Sequence, residues 1–202
     1  MARRFLFLGF AMMLLAAAAL PAHAQTTPRR VRGTIEALDG STLVVNSREG
    51  ETVRIALSPT YTVAAVVPAE LSAIKPGAYI GTAAVGPKDR LRALEVLIFP
   101  EAMRGTGEGH TPWDLVPEST MTNAVIEAEA TGTDGRQLTL VAKGERLIVT
   151  VPPNVPVVTF EPGTPAMLTP GAKVFVGAQR AADGGLSAGR VNVGKDGFTP
   201  PM

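Results

Sequence analysis

The sequence predicts an all-β protein built as a tandem repeat. Three observations carry that prediction. Apolar and polar residues alternate with period two along short stretches, as in half-buried strands. Gly and Pro turn signals punctuate those stretches at close intervals. The chain also states one pattern twice. Pro76–Ala84 and Pro170–Ala178 share P-G-A-x-[IV]-x-x-[AG]-A, and Asp89–Ile98 is echoed by Gly184–Val193, at a spacing of 94–95 residues. A fixed period constrains the architecture before any local reading does.

The first unit spans 31–99. Val31, Gly33, Ile35 and Ala37 alternate with polar neighbours as a first strand. Asp39-Gly40 is a hairpin signal. Leu43 and Val45 mark a second strand, and Arg48-Glu49-Gly50 turns the chain again. Val53, Ile55 and Leu57 form a third, which Ser58-Pro59 is expected to end, leaving Thr60–Val67 extended but irregular. Ala69–Ile74 suits a short helical turn stopped by Pro76-Gly77. Tyr79–Val85 and Leu91–Phe99 read as strands four and five. The second unit, 123–194, repeats the order: Val125–Ala130, Leu138–Val141, Leu147–Val151, a break at Pro152-Pro153, a turn at Ala166–Leu168, then Val174–Ala178 and Leu186–Val193.

Three strands, a short turn and two strands suit a five-stranded Greek-key barrel of the OB type. The expectation is therefore two such barrels in tandem, with small β-sandwiches as the alternative. The second half of each unit resembles a family of uncharacterised exported bacterial OB-like domains. Its pattern is carried by Leu168, Gly171, Val174, Val176 and Ala178, then Gly184, Leu186, Ala188 and Val191. A looser copy runs through Ile74, Gly77, Ile80 and Ala83, then Asp89, Leu91, Ala93 and Val96. The resemblance implies a scaffold and transfers no catalytic residue. Similar chains are sometimes labelled metal-transporter permeases, which at most hints at a metal.

The ends and the composition bound the function. Arg3 and Arg4, the apolar run Phe5–Leu20 and the A-x-A ending at Ala24 read as a signal peptide over 1–24. Export to the periplasm follows, as a soluble chain not embedded in the membrane after cleavage. Without Arg3 and Arg4 the 19 basic side chains fall to 17 against 18 acidic ones, a formal charge of −1. No basic surplus is left to track a phosphate backbone, so nucleic acid is not an expected partner. The chain has no Cys, so thiolate chemistry is absent and stability rests on burial.

Residues 100–122 have no counterpart in either unit, and 195–202 form a short tail. This inter-domain arm holds the sole Trp, Trp113, and His110, the one His after the signal. Long connections are usually functional or disordered. Two readings follow. Trp113, with Leu115 and Val116, could clamp the two units together, since a Trp buries up to about 250 Å². Alternatively Glu101, Arg104, Glu108, His110, Trp113 and Asp114 could form a binding site for a protein, peptide or saccharide of the cell envelope. The function expected is thus a non-catalytic binding or adaptor protein needing no cofactor. One alternative is copper binding or trafficking through Met103, His110 and Met121, since thioether and imidazole suit copper. Another is a hydrolase using carboxylates of the arm.

Overall fold

In the computed structural model, residues 28–181 and 183–202 are described. The expected signal segment, 1–24, lies outside them. The described chain is almost all strand: β1 (Arg29–Asp39), β2 (Thr42–Ser47), β3 (Thr52–Pro68), β4 (Tyr79–Val85), β5 (Leu91–Ile98), β6 (Gly109–Pro112), β7 (Thr120–Gly132), β8 (Gly135–Ala142), β9 (Glu145–Val151), β10 (Val157–Pro162), β11 (Lys173–Arg180) and β12 (Leu186–Gly194). Short 3₁₀ turns stand at Leu71–Ala73 and Pro165–Met167, where helical turns were expected, and at Glu101–Met103 and Lys195–Gly197. No helix among the described residues is long and apolar enough to cross a membrane.

The ladder closes on itself. β1 pairs with β2, β2 with β3 and β11 with β12, and β11 returns to β1, all antiparallel. A parallel pairing of β12 with β3, Ser187↔Ala56 through Gly194↔Val66, completes a closed five-stranded barrel. A second circuit runs β4-β5-β9-β8-β7 and back to β4. Its parallel closing contact, β5 with β9, is only Leu91↔Val149 and Arg92↔Thr150. Closure distinguishes this arrangement from the sandwich alternative, whose two sheets keep free edges.

The circuits do not follow the sequence units. Units 31–99 and 123–194 were each expected to close alone. Instead the first circuit takes β1–β3 from one unit and β11–β12 from the other. The second circuit takes β4–β5 from the first unit and β7–β9 from the second. The cores follow the circuits. Val31, Ile35, Leu43, Val45 and Ile55 pack with Val174, Val176, Val191 and Val193. Ile80, Leu91 and Val96 pack with Ile126, Leu138, Leu147 and Val149. The second circuit is thus one continuous stretch inserted into the first.

Two proline sites explain how the chain moves between circuits. Ser58-Pro59 does not end its strand: β3 runs on to Pro68. Its first half pairs with β2 and its second half with β10. Residues 58–61 drop out of the register against β12, which resumes at Arg190↔Thr62. Pro59, lacking an N–H, sits in that gap, a position a ladder tolerates. In the second unit Pro152-Pro153 does break the strand, separating β9 from β10. β10 then bridges the circuits, antiparallel to β3 and parallel to β5. A third cluster fills the junction: Val66, Leu97, Val158 and Met202, with Phe99, Phe160, Phe175 and Phe198 against it.

Candidate functional site

The arm is ordered and touches both circuits. After the turn at Glu101–Met103, Gly105 (φ 83°) and Gly107 (φ 60°) bend the chain through left-handed conformations that suit glycine. The Thr106 carbonyl accepts from Tyr79 Oη (3.0 Å) and Asn123 Nδ2 (3.1 Å). Gly109–Pro112 then adds β6 to the edge of β7, in register His110↔Thr122 and Thr111↔Met121. Alternation does not betray so short an edge strand, and the sequence reading missed it. Next the chain crosses to the first circuit. Trp113 packs on Phe175 of β11, ring centroids 6.1 Å apart. The guanidinium of Arg30 in β1 lies 3.8 Å from the Trp113 ring centroid, a cation–π contact.

Asp114 fixes the crossing. Its Oδ1 accepts from Arg32 Nη2 (2.7 Å), its carbonyl accepts from Arg48 Nη2 (2.8 Å), and Arg30 Nη1 stands 3.8 Å from Oδ2. Burial alone would raise the Asp114 carboxyl; the Arg32 hydrogen bond and the two positive charges bring it below its ordinary range. Arg32 also donates from Nε to the Met202 carbonyl, so the arm, β1 and the tail share one guanidinium.

The structure spreads the expected site residues over several places. Glu101 and Arg104 pair with each other on the surface, at 2.6 and 2.7 Å, and Arg104 also donates to the Gly77 carbonyl. Glu108 accepts the backbone N–H of Lys143 (2.7 Å). The three carboxylates weighed for hydrolysis, Glu101, Glu108 and Asp114, therefore face three different partners. The copper set is divided by strand register. Opposed residues share a face and successive residues alternate, so Met121 sides with Thr111, and His110 sides with Thr122 on the other face. His110 Nδ1 and Thr122 Oγ1 are 2.8 Å apart. Burial and the nearby Lys88 charge lower the His110 pKa.

One cleft does gather residues from the arm and both circuits. It measures about 370 Å³ and lies at the junction. Met103 and Trp113 of the arm, Met121 of β7, and Phe99, Phe160 and Phe175 supply much of its lining, with Thr106, Thr111, Asn123, Arg190 and Asn192 as the polar members. Of the residues named from sequence, only Trp113, Met103 and Met121 reach it. Phe160 and Phe175 pack against the junction cluster. Arg190 was missed, although the repeat held a signal. It occupies the position that Glu95 holds in the other copy, counting from Leu186 and Leu91. Both positions point away from the barrel interior.

Arg190 is half-buried, and burial is the resolved cause that lowers its pKa. It donates from Nε to Asn192 Oδ1 (3.0 Å), holds Nη2 3.6 Å from Met103 Sδ, and stacks at 4.8 Å on Phe160. Trp113 Nε1 is buried with no hydrogen-bond partner. Comparison with family models, curated proteins and solved structures gives no match.

Proposed function

We propose that the chain is an exported, non-catalytic binding protein of the cell envelope. Its scaffold is a pair of OB-like barrels, and its site is the junctional cleft roofed by the arm. The supporting observation is the composition of that cleft. Aromatic and thioether side chains from three separate regions converge on a space within the usual size range of small-molecule sites, with a few polar groups among them. Such a lining favours a small, largely apolar occupant over a saccharide, which needs many hydrogen bonds. Met side chains adapt to irregular shapes and suit a promiscuous apolar wall. The clamp and the site are the same structure in this reading: Trp113 holds the circuits together and walls the cleft.

The sole Trp makes the test direct. Excitation of Trp113 in the chain from residue 25 onward should give saturable energy transfer to N-phenyl-1-naphthylamine, a neutral apolar fluorophore, at one site per chain. Thr111 is exposed and lines the cleft, so Thr111→Phe should fill the space without disturbing a core. Loss of the saturable signal in that variant is expected. Identical titrations for both proteins, or no saturation, would remove the cleft as a binding site.

A further inference from the structure

We infer that the occupant of the cleft is an amphiphile carrying one carboxylate, held by Arg190 with its apolar body against Phe99, Phe160, Phe175 and the two Met side chains. This rests on the cleft being the site.

The charge supplies the first argument. A guanidinium offers five N–H donors in a planar fork that matches a carboxylate. Two nitrogens of Arg190 have partners: Nε faces an amide oxygen, and Nη2 faces only the Met103 sulfur at 3.6 Å. Thioether sulfur is a weak acceptor. The other arginines beside the arm are engaged by carboxylates: Arg32 and Arg30 by Asp114, and Arg104 by Glu101. Arg190 forms no ion pair with a carboxylate among the described residues. A half-buried cation without an anion is unfavourable unless something completes it. An anion entering the cleft meets it, and the bond is then charge-assisted.

The size supplies the second argument. At about 30 Å³ per water-sized group, 370 Å³ holds about a dozen heavy atoms. That accommodates a carboxylate with roughly ten carbons. Beside Arg190 the lining is mostly aromatic and aliphatic or thioether side chains, with Thr106, Thr111, Asn123 and Asn192 among them, so most of the occupant must be apolar too. Met103 belongs to the short Glu101–Met103 turn of the arm. Its sulfur stands 3.6 Å from Arg190 Nη2, and a carboxylate would replace it there.

The experiment displaces N-phenyl-1-naphthylamine from the chain with decanoate or with decanol, which has the same chain length and no charge, at pH 7.5. Decanoate should compete at least tenfold more strongly than decanol. Arg190→Gln should erase that preference by weakening decanoate far more than decanol, and Arg190→Lys should keep part of it. Equal competition by acid and alcohol, or a preference that survives Arg190→Gln, overturns the carboxylate assignment even though the cleft still binds. Failure of the fluorophore itself to bind removes the cleft reading instead. Circular dichroism and the unfolding midpoint of each variant confirm that a lost preference reflects the site. If Arg190→Gln does not fold, Arg190→Lys decides: a decanoate preference equal to that of the unaltered chain overturns the assignment to the Arg190 guanidinium.

Discussion

Strands β5 and β12 hold matching positions in the two copies of the repeat, and they differ on one face only. Inward, Leu91, Ala93, Val96 and Ile98 correspond to Leu186, Ala188, Val191 and Val193. Outward, Glu95 stands against Arg190, and Leu97 against Asn192. The inward face serves a barrel interior, which needs apolar volume and little else. The outward face looks into the junction between circuits, and there the copies took opposite charges. Glu95 is completely buried, its Oε1 accepts the Ala83 N–H (2.9 Å), and its Oε2 has no partner. Arg190 borders the cleft. The matched inward positions line the two cores, and the matched outward positions 95 and 190 carry opposite formal charges.

The largest effect expected concerns which pieces stand alone. If the second circuit is an insertion, a fragment covering 69–157 contains all of its strands and should unfold cooperatively by itself. A fragment covering 31–99 contains three of the five strands of the first circuit and two of the five of the second, and should not reproduce the native pairing. Amide exchange on both fragments reads this out. Native-like protection of β1–β5 in the 31–99 fragment, with none in 69–157, would show that the sequence units are the true folding units.

A smaller effect attaches to Glu95. Burial raises its carboxyl to about 7, against about 4.3 for a free Glu. Between those values the folded chain keeps a proton that the unfolded chain has released. Stability is then fully present below the ordinary Glu range and falls as pH rises through 7. Glu95→Gln should remove that fall and stabilise the protein by up to about 3 kcal/mol at pH 8.5, measured as urea midpoints at pH 5 and 8.5. Parallel pH dependence in the two proteins would remove Glu95 as the source.

The smallest effect checks the face on which the copies agree. Val96 and Val191 are both fully buried, one in each core. Val96→Ala and Val191→Ala should each cost about 2 kcal/mol, from two lost methylene equivalents and a small cavity. Chemical denaturation compares them. A difference of several kcal/mol between the two would mean that the inward faces are not equivalent after all.

That equivalence explains how much of the molecule was legible in the sequence. Alternation located most of the ten strands of the two units because they have one wet and one dry face, β4 read instead as a short apolar run buried on both faces, and the turn glycines located the ends. Partner choice was not legible. The β4–β5 hairpin and the β11–β12 hairpin present nearly the same apolar face, so either satisfies the first three strands of either unit. Pro59 was misleading for a related reason. A proline ends a strand that needs its N–H, and here the ladder against β12 has a gap where that N–H would be. The arm was set apart by its lack of a counterpart, and in the fold it runs from the edge of β7 to β11, with Trp113 against Phe175. Yet side chains chosen for chemical richness on one segment were mostly spent on pinning that segment down. The cleft draws instead on residues more than 80 positions apart, such as Met103 and Arg190, and only tertiary structure brings those together.

The insertion also sets an order of events. Strands β1–β3 cannot close their barrel until β11 and β12 exist, more than 100 residues later in the chain. At about 5–20 residues per second of synthesis, several seconds pass before those partners are made. Throughout that interval the first three strands offer unpaired edges, the kind that recruits other chains. The inserted circuit, finished earlier and from nearer neighbours, meets no such delay. The native state places early-made and late-made strands side by side, β1 against β11 and β3 against β12.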